Sequence, residues 1–188
     1  MSNAAIFLAE GFEMIEALTV VDLCRRAGIG LTTVSVTDHK RVVSSHKVPV
    51  EADLTIGQLD FDGQDMLILP GGMPGTSNLE ACDILMGKLD EFHEAGRYLS
   101  AICAAPRIFG KKGFLRGRRA TCFPGVEGFL EGAQATGGKV EVADHLITSR
   151  GMGTAMDFGL AIIERLEGKE KSDEIAAQVT YERVSDHV

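Results

Sequence analysis

No two of the four cysteines (Cys24, Cys82, Cys103, Cys122) form a C-x-x-C pair. That excludes the usual zinc spacings and a thioredoxin-like redox motif. No apolar run approaches the roughly 20 residues needed to span a bilayer. Met1-Ser2-Asn3 leads straight into an apolar stretch without a basic n-region, so no secretory signal is expected. Basic residues are in the minority, 19 Lys and Arg against 27 Asp and Glu, for a net charge of −8. A surface for stable nucleic-acid binding is therefore not expected, and the short clusters Lys111-Lys112 and Arg116, Arg118, Arg119 read as a solvated loop. There is no P-loop and no dinucleotide fingerprint. These absences lead us to expect free thiols in a reducing cytoplasm, no membrane association, no metal and no cofactor.

What is present fits an ordinary globular chain: 188 residues, 45% hydrophobic and 24% charged, enough for one domain with a sizeable core. Apolar runs of strand length alternate with amphipathic stretches. Strands are expected at residues 4–9, 31–36, 66–69, 98–102 and 119–122, a strand pair at 139–149 around Asp144-His145, and a small hairpin or an edge excursion at 41–50. Helices are expected at 13–27 with Gly28 past the end, at 83–95 with Asp83 as cap, at 154–167 with Thr154 as cap, and at 169–179. Continuous apolar strands between helices predict an α/β fold, a mostly parallel sheet covered on both faces, in one domain over 1–188.

Cys103 stands where the run Tyr98-Leu99-Ser100-Ala101-Ile102 stops and Ala104-Ala105-Pro106 begins. A nucleophile on a sharp strand-to-helix turn projects from the sheet and needs tiny neighbours; Ala101, Ala104 and Ala105 supply them. Pro106 suits a first helical turn. The following helix N-terminus is expected to favour the thiolate. A cysteine at a strand end is otherwise simply a small buried hydrophobe.

In such sheets, function gathers at the carboxyl ends of strands. Two further strand ends carry unusual residues: Glu16, early in the first helix, and Pro70-Gly71-Gly72-Met73-Pro74-Gly75. A carboxyl beside a thiol can relay protons or hydrogen-bond an oxidised sulfur. A Gly-Gly turn can join the Ala104 N–H in an oxyanion hole. Taken singly, Glu16 reads as a carboxylate favoured by a helix N-terminus and Gly71-Gly72 as an ordinary turn. Their combination with Cys103 carries the information.

Leu69-Pro70-Gly71-Gly72, Ala101-Ile102-Cys103-Ala104-Ala105-Pro106, the early Glu16 and Thr148-Ser149-Arg150-Gly151-x-Gly153-Thr154 occur in the order seen in the ThiJ/PfpI superfamily. The chain resembles its branch of the Parkinson-disease-associated protein deglycase and bacterial relatives, over residues 4–168. The resemblance implies a flavodoxin-like three-layer sandwich and a homodimer. It implies Cys103 as reactive cysteine, Glu16 as its partner, and Gly71, Gly72 and Ala104 as the amides near the sulfur. An arginine reaching the partner's site in some relatives matches Arg26. Implied substrates are small reactive carbonyls, methylglyoxal or glyoxal, or glycated adducts, without cofactor. The alternative is an oxidative-stress sensor and chaperone in which Cys103 is oxidised to the sulfinate; a third reading is a scaffold without chemistry.

The chain departs from the pattern in several places. Ala104 stands where protease-like relatives place a histidine, which argues against a Cys-His hydrolase of adjacent residues. Phe123 stands where some glyoxalases carry histidine, His46 where some relatives have a second arginine, and Met152 where proline is usual. His39, His93, His145 and His187 read as structural or solvated, Cys24 as core, and Cys82 and Cys122 as accessible.

Overall fold

The computed structural model describes residues 1–182; His187 lies outside them. The chain runs β1 (Asn3–Leu8), α1 (Met14–Arg26), β2 (Gly30–Ser35), β3 (Arg41–Val43), β4 (Pro49–Glu51), β5 (Leu54–Thr55), β6 (Met66–Leu69), α2 (Gly75–Glu80) and α3 (Asp83–Glu94). It continues through β7 (Tyr98–Ile102), α4 (Pro106–Lys111), β8 (Arg119–Ala120), β9 (Gln134–Ala135), β10 (Val140–Ala143), β11 (Leu146–Ser149), α5 (Ala155–Glu167) and α6 (Lys169–Gln178).

The main sheet has the order β10-β11-β7-β6-β1-β2-β5. Every pairing in it is parallel except the β10–β11 hairpin. Because side chains alternate across a strand, β1 feeds two cores. Ala4, Ile6 and Leu8 pack with Val20 and Leu23 of α1 and with Phe158 and Ile162 of α5. Ala5 and Phe7, with Ala9 just beyond the strand, pack with Leu79 of α2, Leu85, Leu89 and Phe92 of α3, and Phe109 of α4. This is the expected three-layer sandwich. The chain after β1 crosses to one face and the chain after β6 to the other, so the topological switch point lies between these neighbouring strands, where open α/β sheets place ligands.

The buried strands fall where the apolar runs predict, as does the 41–50 hairpin, formed by β3 and β4. Four details differ. Helix α2 was not expected: Gly-Thr-Ser-Asn has weak helix propensity, and Leu79, fully buried, anchors it. Asp83 begins α3 rather than capping it; Cys82 holds the cap position. Thr154 holds the cap position of α5 as expected but gives the helix no side-chain hydrogen bond, because its hydroxyl is engaged with Gly151 O at 2.9 Å and Ser149 Oγ at 2.7 Å. The strand at 119–122 is only the two residues of β8, paired with an unforeseen β9. Among the described residues, no helix is long and apolar enough to cross a membrane. Four members of the basic clusters pair locally, Lys111 with Glu80, Lys112 with Asp90, Arg118 with Asp144 and Arg119 with Glu141.

Candidate active site

Cys103 follows the last residue of β7 and has φ = 66°, a left-handed backbone that non-glycine residues seldom adopt. Its neighbours hold it there. Cys103 N–H donates to Ser149 O at 3.0 Å, its carbonyl accepts from Phe123 N–H at 2.8 Å, and Ala105 N–H closes the turn on Ile102 O at 3.1 Å. Pro106 then takes the first position of α4. Strand β11 on one side and the 121–124 segment on the other thus clamp the backbone in a strained form, the kind of strain found at functional sites.

Glu16 reaches the same place from α1. Glu13 occupies the helix cap position, and its N–H donates to Gly71 O at 2.9 Å. Gly71 N–H returns the contact, donating to Glu16 Oε2 at 2.8 Å. The helix start and the β6 turn are therefore buttoned together by two hydrogen bonds. A Cβ on Gly71 would lie 2.6 Å from Cys103 Cβ, 2.7 Å from Glu16 Oε2 and 3.0 Å from Ile102 O, so only glycine lets the thiol and the carboxyl close on each other. One expectation changes here. The Gly71 amide is committed to Glu16, whereas the amides of Gly72 and Ala104 are the ones that face the sulfur.

The electrostatics of the pair also differ from expectation. Glu16 is wholly buried, and that burial pushes its carboxyl from 4.5 up to about 7; the Cys103 thiol and the Gly71 amide act against the rise, and the Glu13 charge adds to it. The helix N-terminus, worth at most about 2 kcal/mol to a charge, loses to desolvation. Glu16 Oε1 is buried and accepts no hydrogen bond of regular geometry. For Cys103, burial and the adjacent Glu16 push the thiol up to about 12, against the Gly72 and Ala104 amides. The six residues of α4 do not deliver a free thiolate. Sulfur and carboxyl form a coupled pair in which the first proton leaves Glu16 near neutrality, and a base sits against the S–H.

The remaining candidates fall into place around or away from this pair. Arg26 is exposed at the far end of α1, ten residues and about 15 Å of helix from Glu16, and pairs with Asp22 at 2.7 Å. Within one chain it is not part of the site. His46 lies 3.6 Å from Glu13 Oε2, with Ser45 Oγ 3.2 Å from the same oxygen and 3.0 Å from His46 Nδ1. Glu13 and Ser45 were missed because their approach depends on the β3–β4 hairpin folding back over α1. Cys24 is core, as expected; Cys122 is buried rather than accessible, its thiol pushed up to about 11; Cys82 is half-buried. His93 and His145, read separately from sequence, meet with Nδ1 and Nε2 2.9 Å apart. No group of three or more metal-ligating side chains occurs among the described residues.

The family model of the DJ-1/PfpI family matches residues 2–165. Protein DJ-1 homolog B of Arabidopsis thaliana is 36% identical over 171 residues, covering 90% of this chain and 39% of that protein, so the chain spans about two fifths of the relative's length. The glutathione-independent glyoxalase DJR-1.2 of Caenorhabditis elegans is 30% identical over 168 residues, 88% of this chain and 89% of that one. The solved structure of oxidized Toxoplasma gondii DJ-1 superimposes with a TM-score of 0.93 at 32% identity, covering 97% of this chain and 100% of that chain.

Proposed function

The chain belongs to the DJ-1/PfpI family, and on that premise we propose that it is a cofactor-independent cysteine enzyme converting methylglyoxal, glyoxal or their early adducts to hydroxy acids. The observation that carries this reading is the Cys103–Glu16 pair, a thiol packed against a buried carboxyl that titrates near 7, in reach of two backbone amides. A general base poised near the working pH is what proton transfer of this kind requires.

The chemistry needs no external oxidant. As the Cys103 sulfur adds to the aldehyde carbon, its proton passes to Glu16 and the carbonyl electron pair becomes an alkoxide held by the Gly72 and Ala104 N–H groups. The proton moves on to that alkoxide, giving a hemithioacetal and restoring the carboxylate. Glu16 then removes the hydrogen on the former aldehyde carbon to form an enediol and returns a proton to the neighbouring carbon. The aldehyde carbon is oxidised to a thioester while the adjacent carbonyl is reduced to an alcohol. Water cleaves the thioester, releasing the hydroxy acid and the thiol. Gly71 serves as a positioning residue through Glu16.

In the homodimer this reading includes, Ile15 and Leu18 on the outer face of α1 and Val48 of the hairpin, all exposed, supply an apolar contact surface. Arg26, on the same helix, is the candidate cross-dimer side chain. A second reading is favoured by Glu16 Oε1: a protonated carboxyl there could donate to a Cys103 sulfinate formed by two equivalents of peroxide, making the protein a redox sensor. It also accords with the oxidized state of the Toxoplasma relative.

The deciding experiment is formation of lactate from methylglyoxal without glutathione, wild type against Cys103→Ser and Glu16→Gln. We expect turnover in the wild type and a loss of at least 100-fold in both variants. A well-folded wild type with no turnover, together with selective oxidation of Cys103 by modest peroxide, would replace the enzyme reading by the sensor.

A further inference from the structure

Exposed large apolar side chains scattered singly over a surface need no explanation; three of them here stand on the turns that hold Cys103. Met73 follows Gly72, whose amide faces Cys103 Sγ, and is 54% exposed. Phe123 is bound through its own N–H to the Cys103 carbonyl, and its ring is 49% exposed. Met152 follows Gly151, which packs against the Phe123 ring (an added Cβ would lie 3.3 Å from Cδ2), and is 54% exposed. Gly151 in turn stands two residues after Ser149, whose carbonyl accepts the Cys103 N–H. Short backbone links therefore set all three residues on the turns that hold the nucleophile. The polar groups that face the sulfur are the buried Glu16 and the two amides; the exposed side chains on the turns beyond them include these three, with Arg107 Nη1 3.9 Å from the Met73 sulfur.

A carbonyl carbon bonded to Cys103 leaves its second substituent pointing away from the buried carboxyl, toward solvent and this rim. A hydrogen or a methyl group is too short to use the rim, and a hydroxylated chain would lose hydration against it. We propose that Met73, Phe123 and Met152 form a specificity rim selecting 2-oxoaldehydes whose inner carbonyl bears an apolar or aromatic substituent. This rests on the carbonyl chemistry proposed above and names the substrate class for it. The polarizable thioethers suit contact with an aromatic ring. Discrimination by apolar contacts runs from about tenfold upward per group, and a half-exposed rim stands at the low end.

The test pairs turnover with a measurement independent of it. First, kcat/KM is measured for phenylglyoxal and for hydroxypyruvaldehyde, in wild type and in Phe123→Ser/Met152→Ser. The ratio between the two substrates should fall about tenfold in the double variant, whose Tm, because both side chains are exposed, should match the wild type. Second, alkylation of Cys103 by N-benzyl iodoacetamide and by iodoacetamide is followed by peptide mass spectrometry, each rate divided by that on a free thiol. The benzyl reagent should be favoured about tenfold in the wild type and scarcely at all in the double variant. Turnover with the same substrate ratio in both proteins overturns the rim and leaves the carbonyl reading standing. Selective alkylation without turnover of any 2-oxoaldehyde overturns that reading, and the named substrate class with it.

Discussion

Replacing Glu16 by Gln should alter the pH dependence of folding in a way that no exposed carboxylate can imitate. In the unfolded chain the carboxyl ionises at its ordinary value of 4.5; in the folded protein burial holds it at about 7. Below pH 4.5 both states carry the proton, and the stabilising term is fully present. Between 4.5 and about 7 the unfolded state gives up its proton while the folded state keeps it, so each pH unit removes about 1.4 kcal/mol of folding stability. Over the whole window the loss comes to about 3 kcal/mol, and it stays constant above the folded value. Glutamine does not titrate. Any fixed offset from packing its amide moves the curve up or down without changing its slope. Urea unfolding at half-unit steps from pH 4.5 to 8 measures this directly, since the stability of Glu16→Gln minus that of wild type should climb by about 3 kcal/mol across the series. A difference that stays flat, or falls with pH as it would if an ion-paired carboxylate had been lost, refutes the assignment of Glu16 as a desolvated acid. Removing the thiol, which opposes the up-shift, should extend the window upward, so Cys103→Ala should lose stability over a longer span of pH than wild type.

Gly71→Ala should separate the reacting pair, because contacts of 2.6 and 2.7 Å must open by about 1 Å to reach van der Waals distance. Overpacking of this kind costs about 1–3 kcal/mol, and a 1 Å displacement is worth about 100-fold in rate. Denaturant midpoints and kcat/KM check both, and a variant of wild-type stability and rate would contradict the packing. The pKa values of His93 and His145 are both lowered, first by burial, then for His93 by its neighbour His145 and by Arg118, opposed by Asp90 and Glu94. For His145 the further contributions are Arg118 and Arg165, opposed by Asp144. The folded protein therefore binds these protons less readily than the unfolded chain, and the contribution of this pair to stability should fall as pH drops below about 6.5, opposite in sign to that of Glu16. His145→Gln should remove part of that acid sensitivity, read as Tm between pH 7 and 5; an unchanged profile would contradict the assignment.

The two-sided strands and the turn at Cys103 were legible in the sequence because burial on both faces leaves unbroken apolar runs such as Met66–Leu69, and because a nucleophile elbow needs its alanines nearby. Helix α2 was hidden because its sequence carries almost no helical signal, and one buried leucine secures it. The convergence of Glu16 and Cys103 was readable only as a coincidence of strand ends. Its terms were not: whether the Gly71 N–H points at a substrate or at Glu16 is a matter of peptide orientation, and whether a helix dipole or desolvation sets a pKa depends on how deep the group lies. Glu13 and Ser45 belong to the same limit, since local patterns say nothing of a hairpin folding back over a helix 30 residues earlier; His46 beside them was singled out only through the family resemblance.

The three contacts that enclose Gly71 have a consequence for how this molecule can change. Its position admits one residue, and the spacing between sulfur and carboxyl is thereby removed from the set of properties that single substitutions can adjust. Met73, Phe123 and Met152 stand about half in solvent, where replacement leaves no buried cavity. Variation can accumulate at the mouth while the reacting pair stays fixed, so diversification of this scaffold should alter what enters the site long before it alters the proton transfer performed there.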